Sequence, residues 1–172
     1  MSSCCSSEPS PPPRRPISAY TPLFVIVGFT ALAALAKQNT LASWSWMDWM
    51  HDFMGFFLVV FAMVKFFNLK AFATGFAKYD LLAARSRFYG LLYPFLELGL
   101  GLAYLAQWQL KAVYLVTIAL LGFGTIGVIN TMLKGKQVNC ACMGGILEVP
   151  VSTVTLTENL SMTAMALVML LS

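Results

Sequence analysis

Residues 111–130 read KAVYLVTIALLGFGTIGVIN. After Lys111 there is no charge, and apolar residues occupy every side of the helix the stretch would form. A helix that is apolar all round is buried, either in a large core or in a membrane. Its twenty residues match the length that crosses a bilayer core of about 30 Å at 1.5 Å per residue. The rest of the chain settles the choice. Of 172 residues, 59% are hydrophobic and only 10% are charged, against roughly 25% charged in a soluble domain. A soluble fold would have to leave much of that surface in water. The same balance excludes a disordered chain, a nucleic-acid binder and a disulfide-dense secreted scaffold. The expected fold is therefore all-α, a polytopic transmembrane bundle.

Working outward, further spans are expected at about residues 17–36, 49–67 and 88–106, with a fifth, more interrupted one at 149–171. Thr153, Thr155, Thr157, Glu158 and Asn159 break the last. Pro150 suits its first turn, and Thr155 with Glu158 has the spacing of a capping box should the helix begin later. Residues 1–16 form a Cys-, Pro- and Ser-rich tail read as disordered; residues 17–172 form the bundle. Arg14-Arg15, the apolar run and Ala34-Leu35-Ala36 have the outline of a signal peptide, but the run is long for one.

Basic residues set the expected orientation. Arg14, Arg15, Lys65, Lys70, Lys78, Arg85, Arg87, Lys134 and Lys136 fall at one end of the spans, and only Lys37 and Lys111 at the other. The positive-inside rule then places the N-terminus in the cytoplasm, in a bacterial inner membrane. The connection over 68–87 mixes Phe72, Phe76, Tyr79, Leu81 and Leu82 with basic residues and reads as an interfacial amphipathic segment.

Three groups of residues carry chemistry. The cysteines fall in close pairs, Cys4-Cys5 and Cys140-Ala141-Cys142. Both are expected on the cytoplasmic side, where thiols stay reduced. Each pair can offer two thiolates to one soft ion such as Cu(I). A Cys-x-Cys pair can also close a disulfide, strained and therefore oxidising. Gly144-Gly145 would let that loop turn tightly.

Thioethers form the second group. Met47, Met50, His51 and Met54 recur at i, i+3, i+4 and i+7, one face of a helix. Thioethers with one imidazole prefer Cu(I) or Ag(I), although methionine is also an ordinary core filler. Met162, Met165 and Met169 repeat the spacing in the last segment. The third group is intramembrane carboxylates, costly in lipid and so a functional signal by default. Glu97 is placed to protonate, to pair with Lys65 or to line an ion path, beside the kink expected at Tyr93-Pro94. Glu158 reads as a helix cap.

Several blocks resemble DoxX/MauE-like redox-associated membrane proteins. They are Phe53-Met54-Gly55-Phe56-Phe57, Lys65-Phe66-Phe67, Tyr79-Asp80-Leu81-Leu82-Ala83 and Tyr93-Pro94-Phe95-Leu96-Glu97-Leu98-Gly99-Leu100. Cys140-Ala141-Cys142-Met143-Gly144, residues 150–155 and Glu158-Asn159 complete the set. The resemblance is to the MauE type, including the branch linked to heavy-metal-associated domains. It implies a compact helical bundle with a role in thiol redox or soft-metal handling, as in MauE's support of methylamine dehydrogenase maturation.

Two functions are thus expected. In the first, a non-enzymatic membrane protein binds and transfers Cu(I) or a similar heavy-metal ion. Met47, Met50, His51 and Met54 capture the ion outside, Cys140 and Cys142 receive it inside, and Cys4-Cys5 relays it to a metallochaperone. In the second, Cys140 and Cys142 are the redox pair of a thiol–disulfide oxidoreductase that serves a thioredoxin-like partner. A third option is a structural subunit, in a homo-oligomer or a larger membrane complex.

Overall fold

A computed structural model describes residues 21–39, 44–78, 80–133 and 151–172. All regular structure among them is helical. The helices are α1 (Thr21–Gln38), α2 (Trp46–Phe67), α3 (Leu69–Phe76), α4 (Leu81–Arg85), α5 (Arg87–Leu105), α6 (Leu110–Leu133) and α7 (Val151–Leu171). Three of these, α2, α5 and α6, are long and apolar enough to cross a membrane. Within α1 and α7 the apolar stretches among the described residues are Leu23–Gln38 and Leu156–Leu171. The five long helices coincide with the five expected segments to within a few residues.

Local chemistry sets the boundaries. Ser45 caps α2 by accepting from the Asp48 N–H at 3.3 Å, and Asp48 sits in the first turn, where the helix dipole favours an anion. This start brings Met47 into the helix. At the other end Asn68 closes α2 and caps α3, accepting from Ala71 N–H at 3.1 Å. Asp80 caps α4 through Oδ1, which accepts from Leu82 and Ala83 at 2.9 Å each. The α5–α6 reversal is made by Gln107 and Gln109, with φ of 51° and 49°, left-handed values that non-glycine residues adopt at a cost.

The most extensive interfaces are α2 with α5 and α6 with α7, and α1 lies along α2. The α2–α5 approach is close because Gly55 and Gly101 face each other: a Cβ on Gly101 would sit 2.9 Å from Val59 N and 3.0 Å from Gly55 O. Leu105 lies against Gly55, so the start of α2 and the end of α5 share one end of the bundle. Trp44, Trp46 and Trp108 are exposed there, as expected of aromatic residues at a membrane–water interface.

The 68–87 connection differs from the interfacial segment expected. It breaks into α3 and α4, and Phe72 and Phe76 turn inward to pack on Tyr93. Lys70 and Thr74 are exposed, and so is Leu82 of α4. Glu158 is not a helix cap either: α7 begins at Val151, which puts Glu158 two turns inside it.

Candidate functional site

Polar groups enter the bundle core at two levels of α2. At the tryptophan end, His51 is almost inaccessible, although it lies only five residues into the helix. Its Nε2 is hydrogen-bonded to the Tyr114 hydroxyl of α6, and the two rings stack at 5.7 Å with planes 4° apart. Tyr104 of α5 completes an aromatic triangle, 6.4 Å from His51 and 5.9 Å from Tyr114. The Tyr104 and Thr117 hydroxyls are neighbours, fully buried, and neither closes a hydrogen bond of ordinary geometry among the described residues. His51 Nδ1 is likewise buried without a hydrogen bond; Asp48 Oδ1 stands 4.0 Å away, an ion-pair distance should the imidazole take a proton. Beside this cluster, Asp52 is buried and accepts from Lys37 Nζ of α1 at 2.6 Å. Four helices therefore meet in one polar group.

At the opposite end of α2, Lys65 Nζ donates to Glu97 of α5 at 2.6 Å from Oε1 and 2.5 Å from Oε2. Both side chains are nearly sealed from solvent. The ammonium also lies 5.4–5.7 Å from the ring centres of Phe61, Phe72 and Tyr93, within cation–π range. Of the roles open to Glu97, pairing with Lys65 is the one the fold adopts.

The methionine face does lie on one side of α2, and that side points inward. Met50 and Met54 are buried, with Met47 packed against the same core. Met162 and Met169 of α7 are in that core too, and Met165 is at its margin. The two triads thus belong to one core cluster rather than to an exposed capture surface. Among the described residues no group of three His, Cys, Asp or Glu side chains is placed to hold a metal ion. Cys4, Cys5, Cys140 and Cys142, and with them the tail, lie outside the described residues.

Sequence reasoning missed Tyr104, Tyr114, Thr117, Asp52 and Lys37. A signal existed for some: Asp48 and Asp52 flank His51 at i−3 and i+1, and Asp52 shares a helix face with Asp48. For the tyrosines there was none, since each stands alone in an apolar run.

Comparison with known proteins gives one match. The sequence model of the family described as Methylamine utilisation protein MauE covers residues 43–172, which takes in α2 through α7 and the Cys140-Ala141-Cys142 segment. No curated protein and no solved structure matches the chain.

Proposed function

The chain belongs to the MauE family, and from that membership we propose that it acts in the maturation of a partner protein by thiol–disulfide exchange through Cys140 and Cys142. It is a multi-pass membrane protein. The observation that carries the reading is the extent of the match, which runs unbroken from the α2 core through the Cys-x-Cys segment to the end of α7. The chemistry follows from spacing. Two cysteines two apart close a small, strained ring, which favours the dithiol and makes the disulfide a good oxidant of another protein's thiols. That segment joins α6 to α7, the pair with one of the largest interfaces. Lys65, Lys70, Lys78, Arg85 and Arg87 lie between the last turn of α2 and the start of α5, and the positive-inside rule supports a cytoplasmic placement of that end. A thioredoxin-like partner would dock there, in a bacterial inner membrane.

The test is a redox titration of the purified protein, read by mass shift after thiol alkylation. The expected result is a Cys140–Cys142 couple more oxidising than the roughly −270 mV of thioredoxin. Thiols that stay unpaired under oxidising buffer, or partner maturation that survives Cys140→Ser/Cys142→Ser, would refute the reading.

A second reading is soft-metal binding, with Cu(I) transferred from the methionines to the Cys pair and on through Cys4-Cys5. What favours it is that the two methionine triads share one core cluster. Anaerobic Cu(I) competition on reduced protein decides: tight binding lost in Met50→Leu/Met54→Leu supports it, and unchanged affinity in that variant and in the Cys140→Ser/Cys142→Ser variant sinks it.

A further inference from the structure

The corner between α2 and α5 is unevenly charged. Lys70 of α3, Lys78 beyond it, Arg85 at the end of α4 and Arg87 at the start of α5 are all exposed. The carboxylate in the same stretch, Asp80, is turned inward: its Oδ1 caps α4, and its Oδ2 is buried as well. Lys65 is already matched by Glu97. Among the described residues none of the four exposed cations is in an ion pair. Four positive charges therefore face outward with no anion of the chain against them. They are carried by a fixed scaffold. The Asp80 N–H donates to the Phe76 carbonyl at 2.9 Å, tying α4 to α3, and Phe72 and Phe76 pack on Tyr93 of α5.

The apolar groups around these charges narrow the partner. Phe67, the last residue of α2, is 81% exposed, and Phe88, the second residue of α5, is 72% exposed. Both helices are long and apolar enough to cross a membrane, so the two rings mark where the spans leave the hydrocarbon. The cations follow directly: Arg87 adjoins Phe88, and Lys70 lies three residues beyond Phe67. Basic residues clustered just past a membrane span attract anionic lipid, and the attraction fades within a Debye length. A phospholipid of net negative charge supplies both halves at the right depths, acyl chains to the rings and a phosphate to the cations. In phosphatidylcholine the headgroup's own ammonium offsets the phosphate. A soluble acidic protein would meet the cations and leave the rings unmatched.

We propose that the α3–α4 corner binds anionic phospholipid headgroups through Lys70, Lys78, Arg85 and Arg87, and that the bound lipid clamps this corner over the Lys65–Glu97 pair. The clamp follows from position. α3 places Phe72 against the Lys65 ammonium, and a headgroup shared between Lys70 and Arg87 would tie α3 to the start of α5. The inference holds whichever way the cysteines act.

The probes are dioleoylphosphatidylglycerol and dioleoylphosphatidylcholine, titrated separately into full-length protein in detergent, with bound lipids counted by native mass spectrometry. A preference of about five- to thirtyfold for phosphatidylglycerol is expected, the worth of one or two cations per headgroup. Replacing Lys70, Lys78, Arg85 and Arg87 together by Gln is expected to reduce it to about twofold or less. Lys111→Gln, which removes an exposed cation from the opposite end, is expected to leave it unchanged. Arg85→Lys/Arg87→Lys keeps the charge and is expected to hold it within about threefold. A wild-type measurement free of any folding defect locates the effect: amide exchange of α3 and α4 is expected to slow about fivefold or more in phosphatidylglycerol nanodiscs relative to phosphatidylcholine, with α6 unchanged. Equal affinity for the two lipids, a preference that survives the fourfold Gln variant, or one lost equally in Lys111→Gln would overturn the proposal. Displacement of the lipid by a soluble polyglutamate peptide would also overturn it and make the corner a surface for acidic protein. Exchange in α3 and α4 indifferent to the lipid would remove the clamp.

Discussion

Replacing Glu97 with Leu, Lys65 with Met, and both together dissects the sealed ion pair of α2 and α5. The structure supplies the magnitudes. Side-chain exposures are 6% for Lys65 and 3% for Glu97, so either charge left alone has almost no water to fall back on. Breaking such a pair from one side costs about 3–5 kcal/mol, or about two to three and a half powers of ten in the unfolding equilibrium. The two single variants should not cost the same. Three aromatic faces surround the ammonium at 5.4–5.7 Å, and ring faces carry partial negative charge. They continue to hold Lys65 after Glu97→Leu, at about 0.5–2 kcal/mol each, but they repel the carboxylate left by Lys65→Met. Lys65→Met should therefore be the costlier change. The double variant fills similar volume with apolar atoms and should return to within about 1 kcal/mol of wild type. Reversible unfolding in bicelles, followed by circular dichroism, measures all four species. Additive single costs, or Glu97→Leu proving worse than Lys65→Met, would refute this account.

Three further outcomes are expected. Gly101→Ala should lower stability by about 1–3 kcal/mol, because its Cβ would meet backbone atoms of Val59 and Gly55; Gly99→Ala, which meets nothing within 4 Å, should be neutral or gain up to about 1 kcal/mol. Unfolding midpoints of the two variants check this. Tyr114→Phe removes the hydroxyl bonded to His51 Nε2 and leaves both imidazole nitrogens buried without a partner, a loss of about 1–3 kcal/mol that should shrink when measured in a His51→Leu background. Burial raises the Asp80 carboxyl above its ordinary 3.8, against the pull of the Ala83 and Leu82 N–H groups. The folded chain thus holds that proton more tightly than the unfolded chain, and Asp80's contribution is greatest below 3.8 and declines as pH rises through the window above it. Asp80→Asn keeps the capping oxygen and should flatten the decline of stability as pH rises above 3.8; an unchanged slope would remove Asp80 as its cause.

What the sequence makes legible follows the strength of its periodic signals. The long helices are read from apolar length alone, and the methionine face from a 3.6-residue repeat that is buried as such repeats usually are. Glu97 and Lys65 could be matched because each is a lone charge in an apolar stretch. The contacts of α6 could not be read, because a helix apolar on every side carries no sign of which side meets its neighbours; Tyr114 and Thr117 therefore gave no warning that they converge with Tyr104 on His51. The close helix approach was equally hidden. The eye goes to Gly122, Gly124 and Gly127, yet Gly122 meets open space and Gly124 lies near Asn159 of α7, whereas the tight crossing is made by single glycines on separate helices. The break between α3 and α4 had a local cue in Asp80, an N-cap residue type ahead of Leu81-Leu82-Ala83-Ala84, but interfacial composition masked it.

The two polar levels of α2 differ in how they are closed, and the difference bears on what each can do. Lys65–Glu97 is an ion pair with complementary partners on every side. Phe61 of α2 and Tyr93 of α5 flank it, and α3 folds back so that Phe72 covers it. Phe72 stacks on Phe76 at 5.1 Å, and Asn68 and Asp80 fix the turns that bring this short segment over the site. A segment with the composition of a lipid-surface helix is thus spent on keeping one ion pair dry, which makes the pair a fixed structural element. The His51 level is closed less completely: His51 Nδ1 lacks a hydrogen bond among the described residues, and the Tyr104 and Thr117 hydroxyls meet only each other without ordinary hydrogen-bond geometry. The half-exposed Asp48 stands between His51 and solvent. An unsatisfied buried polar group costs stability, and the Tyr104 and Thr117 hydroxyls beside His51 have only each other as hydrogen-bonding neighbours. Of the two levels, the His51 cluster is the one with capacity left to accept or pass a proton, and the ion pair is the one that holds α2 and α5 in register around it.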